Sequence, residues 1–349
     1  MTGRAIAVLM GVSVSALAQV NVAPVNRPQG NYETIAEWVQ LPDGQRMGAS
    51  AGIEIDPDGR SIWVADRCGV NSCVDAPGRN MVFKFDANGK LLKSWGAGQL
   101  VTPHGMFIEA DGSVWVTDMG VNANRTKGHT VTKFSAEGKV LLTLGTPGQA
   151  GSGPGQFTMP CDVVVGPDGS IYVSESHSPQ ADAPARISRF SRDGKFISSF
   201  GMRGTGRGEL DTPHAMAFDS RGRLFVADRG NNRIQIFDQD GKSLDTWTQF
   251  SRPSGVYIRN DILYVSDSES NVSNHPGGWL RGVRIGSVRD GKVTAFIPQK
   301  PTPIADADPS GMEGVAVDAA GNIYGSNVYL RSYFVGGPWG DITRFVPKR

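Results

Sequence analysis

Six times along the chain a short apolar strand opens after a glycine-containing turn and closes on a small residue followed by an acid or amide. The copies lead with Ala51, His104, Cys161, His214, Ser254 and Glu313, and they close on Asp66, Asp118, Glu175, Asp228, Asp267 and Asn327. The fourth is representative: His214-Ala-Met-Ala-Phe-Asp, a turn ending at Gly222, then Leu224-Phe-Val-Ala-Asp. Successive leads lie 53, 57, 53, 40 and 59 residues apart, a period that signifies a propeller, solenoid or array. Such units bury their faces only against their neighbours, so 349 residues are compatible with one repeat domain.

Within each copy the apolar positions alternate, as in Met216, Phe218, Leu224 and Val226, which is the period of strands packed on one face. Two further strands follow. In the fourth copy they are Arg233-Ile-Gln-Ile-Phe237 and Ser243-Leu-Asp-Thr-Trp247, separated by a turn at Gln239-Asp-Gly241. Four short antiparallel strands make a blade, and a closed ring of blades leaves only short, protected edges. The expected fold is all-β, a six-bladed propeller over residues 45–349, preceded by an N-terminal segment at 19–44.

Residues 1–18 have the form of a secretory signal: Arg4, the apolar run from Ala5 to Val14, then Ala16-Leu-Ala18 as a small-x-small cleavage site. A secreted or periplasmic protein is therefore expected. The alternative is an N-terminus that stays tethered to the membrane. No later stretch approaches the roughly 20 apolar residues of a membrane helix, so no stable membrane span is expected. Export permits disulfides, and Cys68 and Cys73 flank a short excursion, which makes them candidates for pairing and leaves Cys161 as the odd thiol. Asn124-Arg-Thr and Asn271-Val-Ser match the glycosylation triplet. Formal charge is +1, with acids and bases interleaved and no basic stripe, which argues against nucleic acid as a partner.

The lead residue begins the innermost strand, so the leads should form a ring at one mouth of the central channel. His104, His214 and Glu313 belong to alternate blades, about 120° apart around the axis of a six-bladed ring. Two imidazoles and a carboxylate converging in this way suit Zn2+ or another divalent first-row metal, with a position left for water or substrate. Each histidine by itself could instead be a channel residue capped by backbone. Placement in alternating blades, each behind a proline (Pro103, Pro213), favours the metal.

The stretch Val226-Ala-Asp-Arg-Gly-Asn-Asn-Arg-Ile-Gln-Ile-Phe237 resembles the NHL repeat, and the likeness runs over roughly residues 45–347. Propellers of this kind include enzymes and binding modules, so function must be read from the channel. There the residues resemble the peptidyl-α-hydroxyglycine α-amidating lyase family, which cleaves a C–N bond to give an amide and glyoxylate. That family binds zinc through three histidines at such leads; Pro103-His104-Gly and Pro213-His214-Ala match the first two, and Met312-Glu313-Gly stands at the third. Two-histidine, one-glutamate sites also hold zinc. The resemblance further implies Arg67 and Arg229 as carboxylate-binding arginines, each following a Val-Ala-Asp corner. A surface arginine paired with the adjacent aspartate is the other reading of each. A tyrosine base of the family corresponds in position to His177, two residues beyond Glu175, and histidine can act as a base near neutral pH. The family's structural Ca2+ would use backbone oxygens at Ile53 and Met106, but Gly314 stands where its aspartate would be.

The chain is thus expected to be a monomeric, exported, metal-dependent lyase acting on a small molecule or peptide end. Two alternatives stand beside it: a non-enzymatic propeller binding a peptide or glycan, with the insertions at 122–129, 178–185 and 271–281 widening one face, and a lactonase-like propeller hydrolase.

Overall fold

The structure is a computed structural model that describes residues 23–35, 38–42, 45–175, 177, 182–271, 273–299, 311–328 and 342–348. The expected signal at 1–18 lies outside these residues, as do parts of the insertions at 178–185 and 271–281. Among the described residues, strands form six four-stranded antiparallel sheets, so the chain is the expected six-bladed β-propeller. Its inner strands are Ser50–Ile55, Pro103–Ile108, Pro160–Val165, Pro213–Phe218, Gly255–Arg259 and Met312–Val317.

Turn chemistry joins the first two strands of a blade. After Ser50–Ile55, Asp56 accepts from the Asp58 N–H at 3.1 Å, and the Gly59 N–H closes the turn on the Asp56 carbonyl. Gly59 sits at φ 72°, a conformation costly for any residue with a Cβ. The acid at the end of the second strand has a different task. Asp118 accepts from the Val101 and Thr102 N–H groups at 2.9 and 2.7 Å, Glu175 from Thr158 N–H at 2.8 Å, and Asp228 from Asp211 N–H at 2.6 Å. All three acids are buried, and each fastens the incoming inter-blade linker by satisfying backbone donors that burial would otherwise orphan. The acids that mark the repeat in sequence are therefore structural.

The core lies between blades. Trp63 and Trp95 of the first blade pack with Val114, Val116 and Phe134 of the second, and Phe225 and Trp247 of the fourth pack with Leu263 and Val265 of the fifth. The last blade corrects the expected boundary at 45. Its strands Met312–Val317, Ile323–Asn327 and Ile342–Pro347 are completed by Tyr32–Ile35, paired in the register Tyr32↔Pro347 and Ile35↔Arg344. Trp38 follows, packed on Phe85 and Tyr324, so the segment 19–44 includes part of the ring rather than preceding it. Joining the two chain ends in one sheet covers both otherwise open edges.

Cys68 and Cys73 are disulfide-bonded, and Cys161 is a buried free thiol. Asn124 lies in an exposed turn, where its Oδ1 accepts from Thr126 Oγ1 at 2.9 Å. No helix among the described residues is long and apolar enough to cross a membrane.

Candidate metal centre at the channel mouth

His104, His214 and Glu313 are each the second residue of an inner strand. At each, the pairing with the second strand slips: between Pro103 and Met106, Pro213 and Met216, and Met312 and Gly314. Such a bulge re-aims a side chain, here from the blade face toward the axis. The structure brings all three together. Glu313 Oε2 lies 3.7 Å from His104 Nε2, and Glu313 Oε1 lies 3.9 Å from His214 Nε2. The two imidazole centroids are 4.7 Å apart.

The neighbouring blade orients both rings. His104 Nδ1 lies 2.8 Å from the Cys161 carbonyl and His214 Nδ1 lies 2.8 Å from the Ser254 carbonyl, each the lead carbonyl of the next blade. A carbonyl can only accept, so each Nδ1 carries the proton and each Nε2 presents a lone pair to the channel. Both Nε2 atoms are buried without a hydrogen-bond partner. A buried acceptor left unmade costs about 1–3 kcal/mol, and two such atoms facing one carboxylate form a donor set that fits a cation.

His177 joins this group from the third blade. Ligand atoms of His104, His177 and His214 all lie within 4.8 Å of one another. Unlike the other two, His177 Nε2 is engaged: Arg229 Nη2 donates to it at 3.1 Å. Arg229 sits on a short 3-10 turn, Arg229–Asn231, directly after Asp228. It pairs with Glu313 at 3.2 Å and Glu269 at 3.4 Å, and Arg252 Nη1 holds its carbonyl at 2.9 Å. Arg67 is 8% exposed. Its Nε donates to Pro103 O at 3.3 Å, its Nη1 to Asn71 Oδ1 at 2.8 Å, and its Nη2 reaches the Met119 thioether at 3.9 Å. No carboxylate forms an ion pair with it among the described residues. Neither arginine pairs with its adjacent aspartate: Asp66 takes Gly48 and Gly69 N–H, and Asp228 pairs with Arg233.

Burial, with the Arg67 and Arg229 cations beside it, pushes His104 down to about 3; burial and Arg229 do the same to His177, and His214 is held well below its ordinary value of 6.5. The metal-free protein therefore keeps three neutral imidazoles. As pH falls below 6.5 the unfolded chain binds these protons first, so their contribution to stability is present above about 6.5 and is lost progressively toward pH 3. Burial raises Asp66, Asp162 and Glu175 to about 7, and these carboxyls gain stability over the same fall in pH, so the histidine contribution is read by difference. Between pH 7 and pH 5 the urea midpoint of chelator-treated wild type should drop relative to that of His104→Asn, and an unchanged difference between the two proteins would show that the His104 ring reaches water.

Gly314 departs from the calcium arrangement that the sequence resemblance implies. A Cβ there would lie 2.2 Å from the Ala51 carbonyl, so no side chain, ligating or otherwise, fits at this position. The cavity beneath the ring, about 40 Å³, is lined by Ile53, Met106 and Gly314 and also by Glu54 and Asp162. Burial raises both carboxyls, Asp162 to about 7. Sequence reasoning passed over these two acids, and also over Glu269 and Arg252. The available signal for Asp162 was an acid directly after a lead residue.

Residues 210–237 match the family model described as NHL repeat. NHL repeat-containing protein 3 of Mus musculus is 33% identical over 237 residues, covering 65% of this chain and 63% of that protein, so the chain matches less than two thirds of its length. Peptidyl-alpha-hydroxyglycine alpha-amidating lyase 1 of Drosophila melanogaster is 32% identical over 163 residues, covering 43% of this chain and 28% of that protein. Among solved structures, a gluconolactonase from Xanthomonas campestris superposes with a TM-score of 0.58 at 18% identity over 91% of each chain, a likeness of fold.

Proposed function

From a six-bladed propeller that carries the NHL repeat and is similar to amidating lyases, we propose a metal-dependent carbon–nitrogen lyase working at the channel mouth. The observation that carries this reading is the pair of orphaned, buried Nε2 atoms of His104 and His214 facing the Glu313 carboxylate. We assign these three side chains as the metal ligands and zinc as the metal, other divalent first-row ions being compatible with an N,N,O set. Bound there, the ion would supply Lewis acidity, lowering the pKa of a hydroxyl on the substrate.

The remaining residues supply recognition and proton transfer. Arg67 is a buried cation that forms no ion pair among the described residues, Glu313 and Asp66 acting on it only from a distance, a condition that favours an anionic substrate group. Arg229 shares its guanidinium between Glu313 and His177. A substrate carboxylate that drew Arg229 toward itself would release His177 Nε2. The freed imidazole would then take the proton of a carbinol hydroxyl as the C–N bond breaks, and return it to the departing amide nitrogen. The products are an amide and an α-oxo acid, glyoxylate where the substrate is an α-hydroxyglycine amide, and the proton balance closes. The Cys68–Cys73 disulfide supports placing this activity outside the cytoplasm.

The test combines elemental analysis with turnover. Protein purified without a histidine tag should carry about one divalent metal per chain and release glyoxylate from α-hydroxyhippurate. Metal-loaded protein inert toward that probe would remove the lyase assignment. Protein that neither holds a metal nor is stabilised by one would favour a propeller that binds a peptide or glycan.

A further inference from the structure

One position in the second strand, directly before the closing residue, carries a hydroxyl in four blades: Thr117, Ser174, Ser266 and Ser326. Each side chain reaches across to the lead carbonyl of the next blade. Thr117 Oγ1 donates to Cys161 O at 3.0 Å, Ser174 to His214 O at 3.4 Å, Ser266 to Glu313 O at 3.0 Å and Ser326 to Ala51 O at 3.1 Å. The first and fourth blades have Ala65 and Ala227 at this position. The hydroxyls thus form a collar around the channel that fixes peptide planes between blades.

Thr117 is set apart by what its acceptor also holds. The Cys161 carbonyl receives the Thr117 hydroxyl and, at 2.8 Å, His104 Nδ1. Thr117 Oγ1 in turn accepts from Gly105 N–H at 2.8 Å, so its own proton is directed to Cys161 O. One buried hydroxyl therefore ties the peptide following His104 to the carbonyl that sets the orientation and tautomer of the His104 ring. His214 lacks this support, because its carbonyl partner Ser254 O faces the blade with Ala227.

We propose that Thr117 is a positioning residue of the metal centre, holding His104 Nε2 on the metal through the shared Cys161 carbonyl. The proposal rests on the metal reading above. Partners one shell behind a ligand typically contribute about 10–100-fold to metal affinity. Thr117→Val keeps the shape and removes the hydroxyl, Thr117→Ser keeps the hydroxyl, and Ser326→Ala removes an equivalent collar bond whose acceptor serves no imidazole.

Zinc dissociation constants are measured against a chromophoric chelator, with the visible spectrum of the cobalt-loaded proteins as a second readout. Thr117→Val should weaken zinc by about 10-fold or more and shift the cobalt bands, while Thr117→Ser and Ser326→Ala stay within about 2-fold of wild type. Thr117→Ala gives the same comparison if the valine variant does not fold. Wild-type affinity in Thr117→Val, or equal losses in Thr117→Val and Ser326→Ala, would overturn the proposal while leaving the metal site standing. A wild type that binds no zinc would overturn both.

Discussion

Replacing His104 or His214 with alanine should leave the purified protein without metal, whereas the wild type retains about one ion per chain through dialysis. Each Nε2 is buried with no other partner, and the neighbouring Glu313 carboxylate lies 3.7 Å from one and 3.9 Å from the other. Taking away one imidazole leaves a single unengaged nitrogen, since Arg229 holds both the Glu313 carboxylate and the nearby His177 Nε2. That remainder cannot close a coordination shell, so the loss should exceed the roughly 100-fold that a supporting residue can cost. Thermal shift gives an independent readout. Metal at about 100 times its dissociation constant stabilises a binding-competent fold by about 2.7 kcal/mol, and the variants should gain nothing. Glu313→Gln should also lose metal retention or activity, while Glu313→His should keep an ion and shift preference toward zinc. Full occupancy in both histidine variants would place the metal elsewhere.

The ring was legible in the sequence because the lead positions keep phase. The lead residue stands at the start of the inner strand in every blade, within one residue, so the sequence alone sets His104, His214 and Glu313 around one axis. The bulge that turns each into the channel follows the same phase. What was not legible depends on blades meeting across the axis. Arg229 is 84 residues from Glu313 and 52 from His177, and only ring closure makes them neighbours. The closing strand Tyr32–Ile35 was invisible for a related reason: it carries no copy of the repeat, and its partner Ile342–Pro347 lies at the other end of the chain. The closing acids were legible as a pattern and not as a role. Both oxygens of Asp118 are taken up by linker N–H groups, and those of Asp228 by the Asp211 N–H and the Arg233 guanidinium. A repeated residue serves the repeat, whereas residues that break it, such as His177 and Asp162, are where chemistry can differ between blades.

His177→Ala should leave metal content at the wild-type level and lower kcat on α-hydroxyhippurate by about 10²–10⁴-fold, the usual range for loss of a general base and equivalent to about 2.7–5.5 kcal/mol of barrier. The two readouts separate because His177 Nε2 faces Arg229, at 3.1 Å, while the lone pairs left for the metal belong to His104 and His214. Burial and the Arg229 cation hold the imidazole at about 3 in the metal-free state, so it is neutral but only weakly basic until a substrate carboxylate draws Arg229 away. Arg229→Lys tests the other half of that contact. A lysine keeps the charge but cannot reach Glu313, His177 and a substrate carboxylate with one planar fork, so KM should rise more than kcat falls. If His177→Ala instead loses the metal, the imidazole is a ligand, and the base must be sought at Glu313 or Glu269, the carboxylates that pair with Arg229. If it keeps both the metal and full turnover, Arg229 alone accounts for the contact, and His177 serves only to hold the guanidinium in place.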